Sequence, residues 1–123
     1  MAKTKILLVE DEPDIAETTK VILEMADYEV SVACDGAEGL AKVDSEKPDI
    51  IILDIMLPKI DGYDVCRKIK SEKKYAHIPV VMLSFKFQPN DITFAKAVGA
   101  DGYITKSAEP QALLDKISEL LKK

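Results

Sequence analysis

The chain has no tryptophan, one histidine and two cysteines among its 123 residues. That scarcity removes several kinds of chemistry. Cys34 and Cys66 are far apart with no CxxC spacing, and His77, which precedes Ile78-Pro79 in an expected loop, has no Cys or His at ligand distance. Neither a zinc site nor a thiol redox pair is expected; both cysteines read as packing residues and His77 as a surface residue. No signal pattern and no apolar stretch of bilayer-spanning length is present, so the expected setting is cytoplasmic and reducing, away from membranes. Positive charge is not in excess: 17 Lys and Arg against 22 Asp and Glu give a net charge of −5, with lysines interleaved among acids. Direct nucleic-acid binding, which usually needs a concentrated basic face, is not expected. Repeats, linkers and low-complexity tracts are also missing, and 47% hydrophobic content suits a single domain over residues 1–123.

What the chain does have is a set of aliphatic runs that stop abruptly at reactive polar groups. Ile6-Leu7-Leu8-Val9 ends in Glu10-Asp11, Ile50-Ile51-Ile52-Leu53 in Asp54, Val80-Val81-Met82-Leu83 in Ser84, and the shorter Tyr103-Ile104-Thr105 in Lys106. Runs apolar at every residue, separated by segments of helical spacing, predict parallel strands covered on both faces. Residues 29–34 instead alternate polar and apolar, as an edge strand does. The intervening segments predict five helices: one from Pro13 until Tyr28 with Ile15, Thr19, Ile22, Leu23 and Ala26 on its inner face; one after Asp35-Gly36 with Leu40 and Val43; and one after Asp61-Gly62 with Val65, Cys66 and Ile69. A fourth runs from about Pro89-Asn90 to Val98, ending at Gly99, and the last, from Pro110, carries Leu113, Leu114, Ile117, Leu120 and Leu121. Lys122-Lys123 suits its C-terminal dipole. Five β-α units with weaker strands at the edges predict an α/β, doubly wound, five-stranded parallel sheet of order 2-1-3-4-5, which gathers the strand-end polar groups on one rim.

Glu10, Asp11 and Asp54 would crowd negative charge on that rim, which a cation or proton must relieve. Oxygen ligands without His or Cys point to a hard ion, Mg²⁺ with Mn²⁺ as a substitute. Acids at residues 10–12 also suit a helix N-terminus, and Glu12 is read that way. Asp54 has no such local reason, and a carboxylate there can act as a nucleophile toward phosphorus. Lys106 and the Ser84 hydroxyl would then stabilise the transferring oxygens.

Taken in order, Leu8-Val9-Glu10-Asp11-Glu12-Pro13, Asp54-Ile55-Met56-Leu57-Pro58 with Asp61-Gly62, and Gly99-Ala100-Asp101-Gly102-Tyr103-Ile104-Thr105-Lys106 resemble a bacterial two-component response-regulator receiver domain, CheY-like, from end to end. The resemblance implies a phosphorylation-activated switch rather than a dedicated enzyme. Asp54 would accept the phosphoryl group from a sensor histidine kinase or a histidine phosphotransfer protein. Glu10, Asp11, Asp54 and the backbone carbonyl of Met56 would hold Mg²⁺. Ser84 would be the switch hydroxyl, Lys106 the phosphate partner and Tyr103 the aromatic that moves inward with Ser84. The face of helix four, strand five and helix five would then engage a downstream protein, an output domain or a second copy.

Two positions depart from the family pattern. Phe85 stands where receivers usually have a small residue, followed by Lys86 and Phe87; its ring either restricts access to Asp54 or faces outward toward a partner, the second being favoured. Ser107 replaces the usual proline after Lys106, leaving open whether that peptide bond is cis. The main rival reading is therefore a degenerate receiver that docks proteins without being phosphorylated. A haloacid-dehalogenase-type phosphatase wants an acid two residues after the nucleophile, where Met56 stands. A flavodoxin-like carrier is disfavoured because Glu10-Asp11-Glu12 would repel a flavin phosphate.

Overall fold

In a computed structural model, residues 3–58, 60–85, 89–106 and 109–122 are described. Lys86, Phe87, Ser107 and Lys123 lie outside them, and with them the Lys106-Ser107 bond and the loop beyond Phe85. The strands are β1 (Lys5–Val9), β2 (Glu29–Ala33), β3 (Ile50–Asp54), β4 (Val80–Ser84) and β5 (Gly102–Thr105). They form one parallel sheet of order β2-β1-β3-β4-β5, as the sequence predicts. The helices are α1 (Pro13–Met25), α2 (Gly36–Glu46), α3 (Gly62–Ser71), α4 (Pro89–Ala97) and α5 (Pro110–Leu121).

The continuous apolar runs are explained by two cores, one on each face of the sheet. Leu7, Val9, Ile51, Leu53, Val80 and Met82 face Val43 of α2, Val65, Cys66 and Ile69 of α3, and Ala95 of α4. Their strand neighbours Ile6, Leu8, Ile50, Ile52, Val81 and Leu83 face Ala16 and Leu23 of α1 and Leu113, Ile117 and Leu120 of α5. Side chains still alternate between faces, but both faces are dry, so the alternation leaves no polar trace in the sequence.

Several local expectations need correction. Helix α1 stops at Met25 and Ala26 is an exposed cap rather than a core residue, because the chain turns through Asp27 at φ 73°. In α5, Leu114 and Leu121 are only half-buried, lying at the margin of the inner face. Glu12 occupies the N-cap of α1, yet its side chain makes no capping bond. Gly99, at φ 94°, follows α4 in the left-handed region expected of it.

The cysteines also part company. Cys66 is fully buried in the α3 core, and burial pushes its thiol pKa up to about 11, whereas Cys34 is exposed at the end of β2. At pH 8 the Cys66 thiolate fraction is roughly one in a thousand, and the group is shielded as well. Ellman titration of the native chain is expected to detect one fast thiol, lost in Cys34→Ser, with the second appearing only in denaturant; two fast native thiols would contradict the α3 packing. His77 is exposed, as predicted.

Candidate functional site

Parallel strands end on a common rim, and three of them deliver carboxylates or their counter-ion to one point. Beyond β1 the backbone still pairs, Glu10 N–H donating to Ala33 O at 2.9 Å, which keeps Glu10 in the sheet plane and 1% exposed. Asp54 closes β3 with the same burial, 2% exposed, opposite Leu83 of β4. Asp11 is half-buried at the rim. One carboxylate oxygen from each of Glu10, Asp11 and Asp54 lies within 4.8 Å of the others, the grouping expected from the sequence. Asp11 and Asp54 line a cleft of about 270 Å³ together with Glu12, Met56, Ser84, Phe85 and Lys106, with Glu10 buried behind them.

Lys106 reaches the same point from the edge strand. Its N–H donates to Ser84 O, extending the β4–β5 ladder by one residue and setting the side chain over the end of β4. The ammonium, with its side chain 6% exposed, lies 2.7 Å from Glu10 Oε1 and 3.0 Å from Asp54 Oδ2. The carboxylates have backbone support too: Glu12 N–H donates to Glu10 Oε2 at 3.2 Å, and Met56 N–H to Asp54 Oδ1 at 3.1 Å. Glu10 Oε1 meets Lys106 closely but outside hydrogen-bond angles, so this buried oxygen has no partner of good geometry among the described residues. A buried carboxylate oxygen that meets an ammonium without a well-formed hydrogen bond, beside two further carboxylates, fits a hard divalent cation.

The charges act on one another strongly. Burial raises the Glu10 carboxyl above its usual 4.5; the Lys106 ammonium opposes this, and the neighbouring Asp54 adds to it. Burial also works to lower Lys106, but the close contacts and charges of Glu10 and Asp54 outweigh it and leave Lys106 above its usual 10.5. Lys106 is the resident cation of a site with more acids than it can neutralise.

The remaining expected residues lie nearby or around the sheet edge. Ser84 is half-buried at the cleft, next to Asp54 through the β3–β4 pairing. Tyr103 is half-buried on β5, in register with Met82 and packed against the α2–α4 side core rather than in the cleft. Met56 is 76% exposed beside Asp54. The sequence pattern points Lys106 to a transferring phosphate but gives no sign of its pairing with Glu10 or its contact with Phe85. The Phe85 ring is 66% exposed, as the outward reading required, yet its centroid is 5.0 Å from the Lys106 ammonium. The adjacency of strand ends β4 and β5 was the only available signal.

Comparison with known proteins agrees with this arrangement. The family described as response regulator receiver domain matches residues 6–118. The DNA-binding dual master transcriptional regulator RpaA of Synechocystis sp. is 39% identical over 97% of this chain and 49% of its own length. The alkaline phosphatase synthesis transcriptional regulatory protein PhoP of Bacillus subtilis gives the same figures, 39%, 97% and 49%. The chain thus spans about half the length of the curated relatives it matches. Among solved structures, the Vibrio cholerae chemotaxis protein CheY4 superposes with a TM-score of 0.92 at 33% identity, covering 97% of this chain and 99% of that one. Sequence order, sheet topology and the strand-end site all lead to one conclusion: the chain belongs to the response regulator receiver domain family of two-component signalling.

Proposed function

We propose that residues 1–123 form a receiver unit that takes a phosphoryl group onto Asp54 from a histidine kinase or a histidine phosphotransfer protein. The observation that carries this reading is a carboxylate only 2% exposed, at the end of the central strand and 3.0 Å from a lysine ammonium, in a cleft open to solvent. Burying a carboxyl group against a lysine in this way is a costly arrangement for packing alone. In the transfer, an Asp54 carboxylate oxygen forms a bond to phosphorus as the phosphorus–nitrogen bond of phosphohistidine breaks. The electron pair leaves with the imidazole nitrogen, which takes a proton from solvent. Lys106 and the Ser84 hydroxyl orient the phosphoryl oxygens and balance their charge.

Glu10, Asp11, Asp54 and the Met56 carbonyl would hold Mg²⁺, with Mn²⁺ as a substitute. When bound, the ion supplies the positive charge that the acid-rich cleft lacks and offsets repulsion between Asp54 and an incoming phosphoryl group. Glu10 would give it the oxygen that has no well-formed hydrogen bond here. The resulting signal passes from Ser84 to Tyr103, which shares the β4–β5 pairing, and alters the face made by α4, β5 and α5. That face would engage a downstream protein, an output domain or a second copy, in the cytoplasm. DNA binding belongs to relatives twice as long and is not assigned to this unit. Among the described residues no helix is long and apolar enough to cross a membrane.

Intact mass after incubation with Mg²⁺ and phosphoramidate tests the reading. A single phosphoryl adduct is expected, absent in Asp54→Asn and in EDTA, with size-exclusion of the same samples reporting any dimer. An unmodified wild type would instead favour a phosphorylation-independent docking module.

A further inference from the structure

Phe85 has no packing reason for its position. It is 66% exposed, one of the few large apolar side chains left in solvent among the described residues, and its ring lies 5.0 Å from the Lys106 ammonium inside the lining of the Asp54 cleft. A buried ammonium must always have compensating negative or π-electron density around it. In the present state Glu10 and Asp54 provide most of that compensation. Glu10 Oε2 accepts from Glu12 N–H, while Oε1 has only the ion-pair contact with Lys106. A cation that recruits Glu10 competes most readily with the Lys106 contact, which lacks good hydrogen-bond geometry.

We propose that Phe85 is a positioning residue for Lys106: its ring holds the ammonium at the Asp54 cleft while Glu10 turns from Lys106 to the divalent cation. This rests on the phosphoacceptor reading of the site. The ring face attracts the ammonium without competing for metal, since it offers no oxygen ligand, and it costs little to move because most of its surface is already in water. Lys106 thereby stays close to Asp54 and available to the phosphoryl oxygens, although it has lost a carboxylate partner. A small residue at position 85 would leave the long lysine chain free to swing out of the cleft at that moment.

The first readout needs no phosphorylation. In the isotopically labelled chain, assigned by comparison with Lys106→Arg, the ε-methylene protons of Lys106 are expected upfield of the other lysines through the ring current of Phe85, both without Mg²⁺ and with it. The shift should collapse in Phe85→Leu and persist in Phe85→Tyr, and neither substitution removes a buried group. The second readout is the initial rate of phosphorylation by phosphoramidate at saturating Mg²⁺, expected to fall roughly tenfold in Phe85→Leu and to be retained in Phe85→Tyr. An identical Lys106 signal in wild type and Phe85→Leu overturns the proposal. So does a Phe85→Leu rate equal to or above wild type, which would make the ring an obstacle to the donor. A wild type that takes no phosphoryl group at all defeats the reading of the site itself, and is distinguished from failure of the Phe85 role by a wild-type ring-current shift that remains.

Discussion

Lys106→Met is expected to destabilise the chain by about 3–5 kcal/mol in metal-free buffer at neutral pH, the range for removing one partner of a buried ion pair. The substitution keeps the length of the side chain and much of its apolar stem, so packing is largely spared. What it removes is the only cation within ion-pair distance of Glu10 and Asp54 among the described residues. Two buried carboxylates then face each other with no counter-charge. Urea unfolding measures the loss, and adding Mg²⁺ should recover a substantial part of it, since the ion replaces the missing positive charge. A loss unaffected by Mg²⁺, and unaffected by combining the change with Glu10→Gln, would mean that Lys106 contributes packing rather than charge.

The pH dependence carries the same signature. Because the Glu10 pKa is raised by burial, with Asp54 adding to the rise and Lys106 opposing it, the native state binds a proton more readily there than the unfolded chain does. The cost of keeping Glu10 ionised is therefore absent below its usual 4.5 and grows as pH rises through the folded value. The deficit of Lys106→Met should accordingly shrink on acidification toward pH 4.5. In the wild type the raised Lys106 pKa works in the other sense: its stabilisation is fully present below the usual 10.5 and disappears as pH rises through the folded value.

Gly62→Ala is expected to cost on the order of 1–3 kcal/mol and to slow phosphorylation, although helix propensity alone predicts a gain of about 1 kcal/mol. Gly62 opens α3, and its N–H donates to Ile55 O at 2.9 Å, so the helix start lies directly against the backbone that follows Asp54. A Cβ there would fall 2.2 Å from Asp54 O and 2.7 Å from Ile55 Cα. Those are backbone atoms and cannot rotate away. Either α3 lifts or the Asp54–Ile55 peptide shifts, and the second displaces the carboxylate from Lys106. Gly39→Ala is a useful contrast, since its Cβ would meet only the Val9 side chain, at 3.0 Å, and no site backbone. Urea midpoints and phosphorylation rates of the two variants separate the effects: Gly39→Ala should lose stability without losing rate relative to Gly62→Ala. Equal rates in both would show that the tight approach at Gly62 does not position Asp54.

Much of this was legible because the fold is written in unbroken apolar runs. Buried strands of a parallel sheet need apolar residues on both faces, so β1, β3 and β4 stand out, and the polar residue ending each run must lie at the rim. Glu10, Asp11, Asp54, Ser84 and Lys106 could be grouped from that rule alone. Where burial is partial the pattern weakened. The end of α1 was placed too late because Ala26 fits the helical period, and only the left-handed turn at Asp27 ends it. Cys34 looked like a core residue because cysteine usually is, but it falls one position beyond the edge strand.

The sequence by itself determined the order of strands and helices, the two-sided core and the set of reactive groups at the strand ends, because these depend on hydrophobic periodicity and chain direction. Tertiary structure decided how those groups pair. Whether Lys106 meets Glu10, Asp54 or Phe85 depends on side-chain reach across four strand ends brought together by the crossovers, at separations of 2.7, 3.0 and 5.0 Å. Interactions between charges and rings at such distances vary steeply with position, and no local pattern along the chain encodes them.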